Sequence, residues 1–160
     1  TMIRKTFTIG LLLFVLSACS PSVYRELAET DQNQVELSIR RTECFGQCPV
    51  YSARFDLSAA KVFYQGERFV ATMGIREEPL SQDQVTEIIK KIEAVRYAEF
   101  EDVYDHPPVS DLPSCITELT LNGKRIKQVV HRTEAPEGLS SLEKLLDNVL
   151  KVQLGETATY

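Results

Sequence analysis

No stretch of the chain is apolar for long enough to cross a bilayer. A membrane-spanning helix needs about twenty such residues, and the longest apolar run, Phe7 to Leu16, is roughly half of that. Motifs that announce a reaction are missing as well: there is no G-x-S-x-G, no H-E-x-x-H, no Walker loop and no dinucleotide fingerprint. Tryptophan is absent, and His106 and His131 are the only histidines. Lys and Arg do not cluster, and the net charge is −5. Nucleic acid and anionic headgroups reward clustered basic residues, so neither is expected as a partner. No solenoid-type repeat is present. What is there is ordinary for a globular protein: 43% apolar and 26% charged residues. A chain of 160 residues suits one domain plus a targeting segment.

The start falls into three zones: a basic pair, Arg4-Lys5, the apolar run, and Leu16-Ser17-Ala18-Cys19. This order is that of a signal peptide. Leu16-Ser17-Ala18-Cys19 resembles the bacterial lipobox, which implies diacylglycerol on the Cys19 sulfur, cleavage after Ala18, and usually acylation of the new amino group. Several acyl chains matter, because one alone gives only marginal membrane binding. The expected organisation is a signal peptide over 1–18, a lipidated N-terminus and tether over 19–33, and a single domain over 34–160. The chain would then sit in the bacterial cell envelope, lipid-anchored through Cys19. Ser20, not Asp, follows the cysteine, which in enteric-type sorting resembles an outer-membrane destination.

Within the tether, Val23 to Ala28 has the composition for a turn or two of helix. Packed structure is expected to begin near Gln34. Val35, Leu37 and Ile39 alternate with polar residues, as do Tyr51, Ala53, Phe55 and Leu57, and period two marks half-buried strands. Lys61 to Tyr64 and Phe69 to Met73 are two more β-rich runs. The period then changes: Val85, Ile88, Ile89, Ile92 and Val95 form one helical stripe, with Ser81 and Gln84 as a capping box. A long irregular stretch from Tyr97 to Ser114 follows. Cys115 to Leu121 and Ile126 to His131 flank Asn122-Gly123, the signal for a type I′ hairpin turn. A simple register puts Leu119 opposite Ile126 and Cys115 opposite Val130, with His131 on the exposed face. Leu139, Leu142, Leu145, Leu146 and Val149 stripe a terminal helix. The expected fold class is α+β: an antiparallel sheet of about five to six strands with two helices packed on one face.

With Cys19 assigned to lipid, Cys44, Cys48 and Cys115 remain for an oxidising compartment. Three readings of Cys44-Phe45-Gly46-Gln47-Cys48-Pro49 stand open. A disulfide would pin the loop, with Gly46 allowing the turn, for a gain of at most about 2–3 kcal/mol; the compartment favours it. Alternatively the two thiolates hold copper or zinc, completed by His106, His131 or Cys115. A Cys-x-x-x-Cys-Pro run is similar to the copper motif of the thioredoxin-like copper chaperones of cytochrome oxidase assembly, and thiolates suit Cu(I). A redox dithiol is the third reading, without the usual Cys-x-x-Cys spacing. Cys115 reads as a small buried hydrophobe, with pairing to Cys44 or Cys48 as the rival. Glu101, Asp102, Asp105, His106 and Asp111 crowd the long loop and read as a solvated acidic segment. A Ca²⁺ site or a carboxylate pair, Asp105 with Asp111, for glycoside cleavage are the functional rivals.

The segment Cys44-Phe45-Gly46-Gln47-Cys48-Pro49-Val50-Tyr51 resembles the C-F-G-x-C-P-x-Y motif of an uncharacterised family of bacterial lipoprotein and secreted domains, the domain of unknown function DUF6438. Tyr64-Gln65-Gly66, the capped helix from Ser81, Ser110-Asp111-Leu112-Pro113 and the terminal helix extend the likeness over about 34–150. Members often carry Thr or another residue at the position of Cys115, which implies that Cys44 pairs with Cys48. The family implies no agreed reaction. The expectation is a non-enzymatic envelope module that binds or supports another envelope protein or a cell-wall partner. Its candidate surface is the cysteine loop with the long loop, namely Phe45, Gly46, Pro49, Tyr51, Asp111 and Pro113.

Overall fold

The computed structural model describes residues 23–108 and 111–152. A seven-stranded sheet carries the fold. Its strands are β1 (Val35–Arg41), β2 (Val50–Asp56), β3 (Lys61–Arg68), β4 (Gly74–Pro79), β5 (Val103–Tyr104), β6 (Cys115–Leu121) and β7 (Lys124–His131). They lie in the order β4-β3-β2-β1-β6-β7-β5, and every pairing is antiparallel except that of β5 with β7. The helices are α1 (Val23–Ala28), α2 (Gln82–Ala94) and α3 (Glu137–Leu150), with a 3-10 turn over Tyr97–Glu99. The class is α+β as expected, but the sheet has more than the expected five to six strands.

Alternation places Val35, Leu37, Ile39, Ala53, Phe55, Val62, Leu119 and Val129 on one buried face. The helices supply their apolar stripes to the same core: Val85, Ile88, Ile89 and Ile92 from α2, and Leu139, Leu142, Leu146 and Leu150 from α3. Ser81 caps α2 as expected, accepting a hydrogen bond from the Gln84 amide while the Gln84 side chain accepts one from the Ser81 amide. Packing starts before Gln34. Leu27 of α1 is fully buried in the core, and the Tyr24 hydroxyl accepts from the Ala98 amide, so α1 is docked rather than part of a free tether.

Three strand-level expectations need correction. Phe69 to Met73 is not a strand: β3 continues to Arg68, and positive φ at Phe69 and Gly74 turns the chain into β4. Asn122 and Gly123 do take the positive φ of the I′ turn, but a bulge between Leu119 and Thr120 shifts the hairpin. Thr120 pairs with Arg125 and Leu119 with Lys127, leaving Ile126 as the extra residue. One extra residue swaps faces along the rest of β7, so Cys115 stands opposite His131 rather than Val130, and His131 points into the core. Finally, the irregular stretch hides β5, which at two residues leaves no alternation to read.

Candidate functional site

Four strands end at the same edge of the core, and their registers align one residue from each: Tyr51 of β2, Arg41 of β1, Cys115 of β6 and His131 of β7. All four side chains point to the helix-covered face, and each is at most 1% exposed. A row of an arginine, a histidine, a thiol and a phenol in that position needs partners, because a buried charge without one is costly. α3 crosses above the row and supplies them from successive turns. Asp147 takes two hydrogen bonds from Arg41, at 3.2 Å from Nε and 2.6 Å from Nη2, and a third from the Tyr51 hydroxyl. One turn earlier, both Glu143 oxygens lie 3.0 Å from His131 Nδ1. Tyr97 closes the layer beneath by donating to Thr117 at 2.7 Å.

Burial sets the protonation of this rung. It pushes the Cys115 thiol well above its ordinary range, and the neighbouring Glu143 carboxylate adds to that. Burial and the Asp147 carboxylate likewise hold the Tyr51 phenol above its usual value. Both groups are therefore neutral at physiological pH, and both are fully buried. The rung is a brace, and Cys115 is the buried small side chain expected of it.

A pH dependence follows with a definite sign. In the unfolded chain the Cys115 thiol ionises near the ordinary thiol value of about 8.5, but folded it holds its proton to higher pH. Its contribution to stability is thus fully present below about pH 8.5 and is lost as pH rises past it, by up to about 1.4 kcal/mol per pH unit. Tyr51 adds a second decline from about pH 10. Urea titrations of the unfolding free energy across pH 7–11 check this. Cys115→Ala is expected to remove the first decline and leave the second, and an unchanged profile would contradict the assignment.

Above the rung, the strands run out into three loops. Cys44 and Cys48 are joined by a disulfide with a Cα–Cα distance of 5.7 Å, in the loop between β1 and β2. Gly46, expected to allow the turn, has no left-handed backbone, and a Cβ there would meet only the Cys44 sulfur at 3.7 Å, so the turn does not require glycine. An ion pair between Glu43 and Arg68 ties this loop to the end of β3, where the β3–β4 connection starts. On its other side, Thr42 donates its amide to the Ser114 carbonyl at 3.0 Å and its hydroxyl accepts from the Ser114 amide at 2.8 Å, which fastens the end of the long loop. The cysteine loop and the long loop therefore meet.

The candidate residues divide in two. Pro49, Tyr51 and Pro113 are buried and belong to the scaffold, which corrects their placement on an interaction surface. Phe45, Gly46 and Asp111 are exposed. Phe45 is 94% exposed, and Phe69 and Met73 from the next loop and Leu112 from the long loop are exposed with it. Sequence reading missed Phe69 and Met73 because it placed them in a strand.

The acidic loop is not one site. Asp102 pairs with Lys127 at 2.6 Å and Asp105 with Arg132 at 3.1 Å, while Asp111 and His106 are exposed. Asp105 is committed to Arg132, so nothing joins it to Asp111 as an acid–base pair. Among the described residues no group of three or more His, Cys, Asp or Glu side chains is arranged to hold a metal ion. None of the described helices is long and apolar enough to cross a membrane. Cys19, the expected lipid acceptor, lies outside the described residues.

The sequence profile of a domain of unknown function (DUF6438) matches residues 35–150. No curated protein matches the chain.

Proposed function

Since the chain belongs to the DUF6438 family, we propose on the geometry of its loop end that it is a lipid-anchored module of the bacterial envelope that binds another envelope protein and catalyses no reaction of its own. One observation carries the reading: large apolar side chains, Phe45, Phe69, Met73 and Leu112, stand in solvent on three loops that are stitched together above a buried polar brace. Exposed apolar patches with aromatic members on a rigid base are the composition of protein-binding surfaces. The signal-like start and Cys19 supply the anchor, and Ser20 favours the outer membrane.

Two measurements test the two halves. Cells fed an alkyne-bearing fatty acid are expected to label the wild-type chain, and Cys19→Ala is expected to abolish the label; an unlabelled wild-type chain refutes the anchor. Phe45→Ser combined with Phe69→Ser is expected to leave folding stability within about 0.5 kcal/mol, because both side chains are exposed. The same pair is expected to fail to restore the phenotype of a deletion strain. Full restoration would remove the surface.

A further inference from the structure

The face of the sheet away from the helices holds a shallow groove of about 380 Å³, lined by Ser38, Arg40, Ser52, Phe63, Gln65 and Ile75 among others. Arg40 stands out there. Every other arginine among the described residues has a carboxylate partner within ion-pair distance. Arg40 has none among them, although the chain as a whole is acidic. Its neighbours are in the same state. The registers align Arg40 with Ser52, Ser52 with Gln65, and Gln65 with Ile75 along one row across four strands. The Ser52 and Gln65 side chains, and that of Ser38, make no hydrogen bond to any described residue, and Ile75 at the end of the row is 84% exposed.

An unpaired guanidinium, a row of open hydrogen-bonding groups and an apolar seat are three complementary parts of one recognition surface. The planar guanidinium fork matches a carboxylate, which it can hold by two parallel hydrogen bonds. With Arg54 of the same groove held by Glu36, the one guanidinium there without a carboxylate suits one negative charge, not a polyanion. The row spans three inter-strand steps of about 4.8 Å, the length of an extended peptide of about four residues. The volume lies at the lower end of the range for small-ligand clefts, about 300–1,000 Å³, which favours small side chains. We infer that this groove binds the C-terminal end of a short peptide with small side chains, its carboxylate on Arg40, its amides along Ser52 and Gln65, and an apolar group against Ile75. The site is independent of the loop end, from which it differs in residues and in ligand.

The test is an amide chemical-shift titration of the folded chain with N-acetyl-trialanine as the free acid and as its C-terminal amide. Saturable shifts at Ser38, Ser52 and Gln65 are expected with the acid, and at least about tenfold weaker binding with the amide, the equivalent of about 1.4 kcal/mol for a lost charge-assisted contact. Arg40→Gln is expected to weaken the acid by a similar factor without moving the thermal midpoint, because the side chain is exposed. Equal binding of acid and amide would overturn the inference, as would an unaffected Arg40→Gln variant or an absence of shifts at millimolar peptide. Displacement by equimolar sulfate would also overturn it, by reducing the groove to an unspecific anion site.

Discussion

Replacing Asp147 by alanine is expected to destabilise the fold by about 3–5 kcal/mol, the range for removing one member of a buried ion pair. Arg41 would keep its charge, since a guanidinium does not deprotonate in proteins, and would lose the carboxylate that now takes two of its hydrogen bonds. Tyr51 would lose its acceptor at the same time. Against a typical domain stability of about 5–15 kcal/mol, the loss leaves some variants unfolded at room temperature. The double variant Arg41→Met with Asp147→Leu separates charge from packing. Exchange of a buried pair for apolar side chains of similar volume is often neutral or stabilising, so the double variant is expected to regain most of the loss. Guanidinium midpoints of the two proteins make the comparison, and a double variant as unstable as Asp147→Ala would show that geometry, not charge compensation, dominates the rung.

The second large effect is expected at Gly66→Ala, about 2–3 kcal/mol, in the upper range for overpacking. Gly66 extends the same rung, opposite Tyr51, and the β3–β4 loop folds over it. A Cβ at this position would stand 2.0 Å from the Thr72 carbonyl oxygen and 2.9 Å from both the Tyr64 hydroxyl and a Val70 methyl. Carbonyl oxygens of a held loop cannot yield cheaply, so the loop itself must move. Phe69 and Met73 ride on that loop, whereas Phe45 is carried by the disulfide loop next to it. Hydrogen exchange is expected to accelerate at Val70 to Met73 and to stay near wild type between Cys44 and Cys48. Unchanged protection across Val70 to Met73 would mean that Gly66 is not what seats the loop.

Much of the fold was legible because its signals are local. The stripes of α2 and α3, the Ser81–Gln84 cap and the Asn122-Gly123 turn each depend on residues within a few positions of one another. The rung was not legible, because its members come from four strands and a helix, and one bulge decides whether His131 joins them. Its traces were present nonetheless. Arg41 continues the parity of Val35, Leu37 and Ile39, and Tyr51 that of Ala53 and Phe55. Glu143 and Asp147 lie on the buried stripe of α3, four residues apart, where an amphipathic helix has no use for exposed carboxylates. Two acids on a dry stripe and a basic residue ending a dry strand face are complementary, and that pairing was the available clue. The loop surface was half legible: the cysteine motif marked Phe45, but Phe69 and Met73 read as strand because nothing local shows that Gly66 is packed under a carbonyl.

The most direct test of the loop end as a binding surface is photo-crosslinking in the native envelope. Benzoylphenylalanine is placed singly at Phe45, at Phe69 and, as a control on the exposed face of α2, at Lys90, in the full chain with Cys19 intact. The expected result is one adduct of the same mass from Phe45 and Phe69 and none from Lys90, with the Phe69 adduct lost in the Gly66→Ala background and the Phe45 adduct retained. Adducts from Lys90 alone, or none from Phe45 and Phe69 in a folded and lipidated chain, would contradict the account.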